Sequence, residues 1–390
     1  MKIPRATLSS TPAGPGTEKI LVRGVNWLGD AVMTTPALQR LREARPDAEI
    51  TLLTPSKLAD LWRDYPSVDR VMTFSKADRI GETAQRLRRE DFHAGIAFPN
   101  SIRSALELWL ARIPERVGYA RSWRNVFLTL ALAPRPGAVP MHQRSAAEVR
   151  ELVRNNSVMV QFPATAHHLH DYLHLTAALG ANPEPVPPRL NVTESEVKHA
   201  TEKFGLASNP QQPVFGLNPG AEYGAAKRWP SERFVAAARE IKQRTNCLWI
   251  IFGGKGDVDL AAKIHTGIVA SPAPGLSVDP SQKAGVLNLA GATSLRELAA
   301  LLKACEVVLT NDTGPMHLAA ALGTPVVALF GSTSPAFTSP GLPGSAQNVL
   351  LQSPVPCAPC FRRECPIDFR CMNNLTVAAV VGAVLDAAQR

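Results

Sequence analysis

Short β-branched apolar runs alternate with amphipathic helical patterns along the whole chain. The alternation breaks at a proline-rich segment and then restarts. Lys19–Trp27 reads as a strand, and the next segment, Asp30–Arg45, carries apolar positions at Ala31, Thr35, Leu38 and Leu41, one face of a helix. Strand patterns recur at Glu49–Thr54, Val68–Phe74, Ala94–Phe98 and Arg116–Tyr119. Strands separated by helical segments in this way form parallel sheets covered on both faces. Ala181–Leu190 holds four prolines in ten residues, which no packed helix tolerates. Beyond it lie strands at Val214–Asn218, Leu248–Gly253, Val286–Ala290, Val307–Asn311 and Val326–Phe330, with helices at Pro230–Thr245, Asp257–Ile268, Leu295–Ala304 and Thr313–Leu322. The expected architecture is therefore α/β, with two doubly wound domains over 19–180 and 191–390. A linker at 181–190 joins them, and a flexible extension at 1–18 precedes them. The cleft between such domains is the expected ligand site, because strand carboxyl ends face it. The stretch 141–166 fits the rhythm poorly, although its 144–154 part has helical character.

With 45% hydrophobic and 19% charged residues, the chain is globular rather than disordered. Its longest apolar stretch, Val377–Leu385, is too short to span a bilayer and reads as a buried helix. The first eighteen residues lack the apolar core of a secretory signal. Together with six cysteines that reading points to a cytoplasmic protein with free thiols. A net charge of +9 calls for an anionic partner. No aromatic–basic interleaving or recognition motif favours nucleic acid.

No GxxxxGK[ST] occurs, and no GxGxxG follows a strand. Instead, residues 311–331 read NDTGPMHLAAALGTPVVALFG. A strand ends at Asn311-Asp312 and a helix opens at Thr313-Gly314, where bare amides and the helix dipole can cradle a diphosphate. The competing reading is an ordinary strand-to-helix turn with an aspartate cap. Residues 218–230, NPGAEYGAAKRWP, set Asn218 and Gly220 at a second strand end and offer Lys227 and Arg228 before a helix. Lys227 can neutralise a phosphate, or the loop can simply be solvated. Two such turns in one domain favour a nucleotide-diphosphate site.

In the first domain, NWLGDAVMTTPAL (26–38) puts Asn26, Gly29 and Asp30 at a strand-to-helix turn. Asp30 suits either a helix cap or a general base. PNSIRSAL (99–106) adds Asn100, Ser101 and Arg103 at another strand end, with Arg116, Arg121 and Arg124 nearby and Arg86, Arg88 and Arg89 further off. Arginines at strand ends are placed to meet a phosphorylated ligand, whereas scattered ones belong to a solvated face. His167, His168, His170 and His174 lack a third ligand at fixed spacing, and a partly buried helix explains them better than a metal. Cys357, Cys360, Cys365 and Cys371 have a spacing able to hold zinc or an iron–sulfur cluster, but their prolines also fit a tight loop lined by thiols. No bound metal is expected.

In this order, the four motifs resemble those of the ADP-heptose:lipopolysaccharide heptosyltransferases of glycosyltransferase family 9. The likeness covers 19–385 apart from 141–166, and is strongest to members that extend a core already bearing one heptose. It implies a GT-B fold of two Rossmann-like domains and a metal-independent, inverting transfer with no cofactor. ADP-heptose, the donor, would occupy the C-terminal domain through Asn218, Gly220, Lys227, Thr313 and Gly314. Asp312 and His317 would order that loop or touch donor heptose and phosphate, and Asp257 would meet the ribose hydroxyls. The phosphorylated lipid A–Kdo–heptose acceptor would lie on the N-terminal domain, along Asn26, Gly29, Asn100, Ser101, Arg103, Arg121 and Arg124. Asp30 would deprotonate the acceptor hydroxyl, and Lys227 with the Thr313-Gly314 amides would stabilise charge growing on the departing diphosphate. The resemblance further implies peripheral contact with the cytoplasmic face of the inner membrane. The cysteine-rich tail varies among members, so catalysis is expected to be independent of it. The rival readings are another GT-B transferase, a nucleotide-sugar epimerase, and a non-catalytic two-lobed binding protein.

Overall fold

The computed structural model describes residues 17–206, 211–270, 285–342 and 344–390, so the extension expected at 1–18 lies almost wholly outside the described residues. The chain begins β1 (Lys19–Arg23), α1 (Leu28–Met33), α2 (Thr35–Ala44), β2 (Glu49–Pro55), β3 (Arg70–Phe74), α3 (Ile80–Arg88), β4 (Ala94–Ala97), α4 (Ile102–Leu110), β5 (Glu115–Tyr119) and β6 (Leu130–Leu132). It continues through α5 (Ala146–Arg154), α6 (Leu169–Ala177), α7 (Glu194–Lys203), β7 (Val214–Asn218), α8 (Ser231–Thr245), β8 (Leu248–Ile251), α9 (Val258–Val269) and β9 (Val286–Asn288). The remainder is α10 (Leu295–Ala304), β10 (Val307–Asn311), α11 (Gly314–Ala321), β11 (Val326–Phe330), α12 (Pro335–Thr338), β12 (Val349–Gln352), α13 (Arg370–Asn373) and α14 (Val377–Ala388). Among the described residues no helix is long and apolar enough to cross a membrane.

The first unit comprises 1–138 and 165–190. Its sheet runs β3-β2-β1-β4-β5-β6, with every neighbouring pair parallel. Because helices cover both faces, β1 is buried from Ile20 onward on inward and outward sides alike. The winding reverses between β1 and β4, so the loops after these two strands flank a topological switch point, the customary ligand position in such sheets. Beneath it, Glu107 of α4 is fully buried and joined to Arg23 at the end of β1, Nε to Oε2 2.8 Å. Breaking such a pair costs about 3–5 kcal/mol.

The second unit comprises 139–164 and 191–390. Its sheet, β12-β11-β10-β7-β8-β9, repeats the winding, with the reversal between β7 and β10. Trp229, Phe234 and Trp249 anchor its core, and the Trp229 and Phe234 rings meet edge-on at 5.0 Å. Each unit is thus a Rossmann-like doubly wound domain, and together they make the GT-B set of elements.

One boundary differs from expectation. Residues 139–164, expected inside the first domain, belong to the second unit. Arg144 N–H donates to Cys360 O at 3.0 Å, Val149 is buried in that unit's core, and the Phe162 ring packs on Phe337 at 4.9 Å. The proline-rich 181–190, expected as the linker, lies along the first unit. There Arg40 Nε donates to Glu184 O (3.0 Å) and Arg189 N–H to Thr35 Oγ1 (3.3 Å), so side chains satisfy a backbone that has no sheet or helix partner.

Candidate active site

At the switch point of the second unit, the β7 and β10 loops are tied together by asparagines. Asn218 Nδ2 donates to Thr310 Oγ1 (3.0 Å) and Thr313 Oγ1 (2.9 Å). Asn311 Nδ2 donates to Pro219 O (2.8 Å), while its Oδ1 accepts from Trp229 N–H (3.2 Å). Asn218 therefore aligns Thr313, the N-cap of α11, whose hydroxyl accepts from that amide and makes no cap bond to the helix. The first amides of α11 are left open, and Pro315 occupies a first-turn position where a missing N–H costs nothing.

Lys227 and Asp312 are ion-paired at this mouth, Nζ to Oδ2 2.6 Å, with the lysine 12% and the aspartate 3% exposed. Burial pushes the Asp312 carboxyl up, but the Lys227 charge and hydrogen bond, the Thr333 hydroxyl (2.6 Å) and nearby His317 hold it below the usual carboxylate range. The ammonium also lies 4.9 Å from the centre of the Tyr223 ring, whose other cation is Arg363 at 5.2 Å. A cation fixed in this way at a helix N-terminus is suited to a diphosphate, since little reorganisation remains when the anion arrives. Asp257 joins the same loop: it meets Arg228 at 3.3 Å, accepts from Gly254 N–H at 3.1 Å, and packs so closely on Gly220 that no side chain fits there. His317 is buried in the first turns of α11.

The cysteine-rich segment supports this site. Phe361 O accepts from Tyr223 Oη at 2.6 Å, and Arg363 O accepts from Ala226 N–H at 2.9 Å. Gly224 takes φ 154° directly against the Arg363 carbonyl, where any Cβ would collide. The segment thus shapes the turn that carries Lys227, although the sequence reading gave it no part. Cys357, Cys360 and Cys371 are buried with their thiol pKa values pushed up by burial, that of Cys371 to about 12. Tyr223, Thr333 and Arg363 were missed. Thr333 had a signal, the Ser332-Thr333-Ser334 run immediately after a strand's carboxyl end.

In the first unit, Asp30 is the third residue of α1. Trp27 holds the N-cap position, so Asp30 does not cap the helix, although a first-turn carboxylate still suits the dipole. It is half-buried, and after burial its charge is the next cause raising the Tyr172 phenol pKa. Asn26 is exposed and Gly29 half-exposed in the same turn, and Lys57 Nζ stands 5.1 Å above the Trp27 ring. Lys57 was also missed, though it follows the carboxyl end of β2.

On the other side of this switch point, Ser101 caps α4, accepting from Ser104 N–H at 3.2 Å. Arg103 pairs with Glu107 (2.8 Å) yet keeps 41% of its side chain exposed. Arg121 is exposed. Arg124 corrects an expectation: it is fully buried and unavailable to a surface ligand. Its Nη1 donates to Tyr119 O (3.0 Å) and Asn100 Oδ1 (3.3 Å), and burial draws its pKa down to about 10. It holds Asn100 in place. Arg116 is likewise engaged with the carbonyls of Ile113, Pro114 and Phe127. His170 and His174 lie on α6, where burial lowers both pKa values and His174 stacks on Tyr119 at 5.8 Å.

The family model described as glycosyltransferase family 9 (heptosyltransferase) matches residues 129–369. Lipopolysaccharide heptosyltransferase 2 of Escherichia coli (strain K12) is 31% identical over 330 residues, covering 83% of this chain and 85% of that protein. Lipooligosaccharide heptosyltransferase 2 of Haemophilus ducreyi is 30% identical over 336 residues, covering 83% and 86%. The solved structure of E. coli ADP-heptose LPS heptosyltransferase II shares the fold, with a TM-score of 0.72 at 24% identity, covering 95% of this chain and 98% of that one. The chain belongs to glycosyltransferase family 9, the heptosyltransferases.

Proposed function

We propose that this glycosyltransferase moves heptose from ADP-heptose to the heptosyl-Kdo inner core of lipopolysaccharide, as its relatives' name heptosyltransferase 2 suggests for them. The observation that carries this reading is the 31% identity to such an enzyme across 83% of the chain. The geometry supports it. In the second unit, Lys227 and the opening amides of α11 would receive the diphosphate of ADP, with Asp312 fixing the ammonium, Asn218 and Gly220 shaping the loop, and His317 beside it. Asp257, close to Arg228, would face the nucleoside. In the first unit, Asp30 would take the proton of the acceptor hydroxyl as its oxygen bonds to the anomeric carbon of the heptose. The bond from that carbon to the diphosphate breaks, and the charge gathers on ADP, where Lys227 and the amides stabilise it. Inversion follows from that single in-line displacement. Asn26, Gly29, Asn100, Ser101, Arg103 and Arg121, with Lys57, would face the phosphorylated acceptor. The enzyme would work at the cytoplasmic face of the inner membrane, in peripheral contact with it.

The test is purified protein with ADP-heptose and heptosyl-Kdo–lipid A, following ADP release and the product mass. Gain of a single heptose is expected. Transfer only to a core lacking heptose, or only from a different nucleotide sugar, would overturn the reading.

A further inference from the structure

The helix that begins at the Ser101 cap has two apolar faces. Ala105 and Leu108 of α4 are fully buried, as a core-facing stripe should be. The opposite stripe, Ile102, Leu106 and Trp109 at i, i+4 and i+7, is apolar as well, with Ile102 47% and Trp109 46% exposed. The stripe continues off the helix. The Phe127 ring meets Trp109 edge-on at 5.7 Å, and the turn before it exposes Val126 by 74% and Trp123 by 85%. One exposed apolar side chain needs no explanation, but several on one helix and the turn packed against it, two of them tryptophans, mark a contact surface.

The turn that presents Trp123 is built to stay in place. Arg121 N–H donates to Asn125 Oδ1 (2.9 Å), Arg124 N–H donates to Arg121 O (3.2 Å), and the Arg124 side chain is rooted in the interior. Between them Trp123 holds a left-handed backbone at φ 63°, a conformation uncommon for a bulky residue. Beside the strip stand Arg112 and Arg121, both exposed and neither in an ion pair among the described residues. Exposed tryptophans rimmed by free arginines fit the headgroup layer of an anionic bilayer, where the indoles sit at the interface and the guanidiniums meet phosphates.

We propose that the outer face of α4 and the 121–127 turn dock the enzyme on an anionic lipid bilayer. The proposal deepens the acceptor reading, on which it rests: the same helix starts at Ser101 and Arg103, so a membrane-anchored acceptor meets its candidate residues at one end of the docking face.

The test is co-sedimentation of the full-length protein with phosphatidylcholine vesicles, with and without phosphatidylglycerol. Binding to the anionic vesicles that weakens with salt is expected. Trp123→Asn, which keeps the left-handed backbone accessible, combined with Val126→Ser should weaken it roughly tenfold or more. Arg112→Gln should weaken it about fivefold. Turnover with a short-chain, water-soluble heptosyl-Kdo acceptor should be unchanged in these variants, and turnover with the same core embedded in vesicles should fall. Three results would overturn docking: variants that bind as the wild type does, equal binding to neutral vesicles, or a concentration-dependent dimer lost in Trp123→Asn without vesicle binding. Failure to transfer heptose to any acceptor, with lipid binding and its loss in the variants intact, would overturn the acceptor reading and leave the docking surface standing.

Discussion

Asp312 is a carboxylate that burial alone would neutralise, and Lys227 is what keeps it charged. Removing the lysine therefore acts on both binding and folding. Lys227→Ala should weaken ADP binding by about 1.5–3 kcal/mol, the worth of a charge-assisted hydrogen bond, and lower stability by about 3–5 kcal/mol by stranding a buried charge. Its pH signature follows from the direction of the shift. With the folded Asp312 held below the usual carboxylate range, the pair's contribution is complete above that range and is lost as pH falls through the lowered folded value. In Lys227→Ala burial is opposed only by Thr333 and His317, so the folded pKa moves up and the sign turns: lowering the pH from neutral to mildly acidic should relieve part of the variant's loss of stability by protonating the stranded carboxylate, and should bring no such gain to the wild type. Denaturant titrations at neutral and mildly acidic pH measure this, and identical pH dependence would show the pair to be unimportant. The sequence named both residues but not the bond, because they are 85 positions apart. Arg124 misled for a related reason: an arginine in a polar turn looks exposed, and only the nearby Gly118, whose missing side chain leaves room for the guanidinium, shows otherwise.

At the scale of elements, α1 offers a sharp contrast. As a general base Asp30 contributes about 100- to 10,000-fold, so Asp30→Asn should lower kcat by that order with ADP affinity unchanged. If the carboxylate served only the helix dipole, the loss would be about 0.3–1 kcal/mol of stability with normal turnover. Steady-state kinetics at saturating substrates separates the two. In the β7 loop, Gly220→Ala would put a Cβ 2.5 Å from the Asp257 carboxyl. The expected cost is about 1–3 kcal/mol of overpacking, seen as a lower melting temperature, with weaker ADP binding as Asp257 leaves Arg228. Unaltered ADP affinity would remove Asp257 from the site. The central strands β1, β4, β7, β10 and β11 were legible because burial on both faces leaves near-continuous apolar runs. β6 and β12 were not: both are sheet-edge strands and incompletely buried. In residues 139–164 the helix at 146–154 was legible from its own pattern, but not the unit it joins, because what orders the stretch, Cys360 and Phe361, comes some two hundred positions later.

Over the whole molecule, the same winding occurs twice, and each time the candidate residues stand beside its reversal. The two copies differ in charge chemistry. The reversal at β7 and β10 holds a lysine fixed by a buried carboxylate, open helix amides and Arg363 nearby, a concentrated anion site. The one at β1 and β4 holds a first-turn aspartate, with Arg103 and Lys57 further out. A nucleoside diphosphate should therefore select the second unit. Binding to the folded state stabilises by RT ln(1 + [L]/Kd), about 2.7 kcal/mol at a hundredfold excess over Kd. The gain belongs to whatever structure must unfold to release the ligand. ADP should raise the melting temperature, and hydrogen exchange should slow chiefly at 218–229 and in the first turn of α11. Adenosine without phosphates should do far less, because the fixed cation and the helix amides have no charge to meet. Exchange that slows instead around Asp30 and Asn100 would place the nucleotide on the first unit and reverse the division of roles.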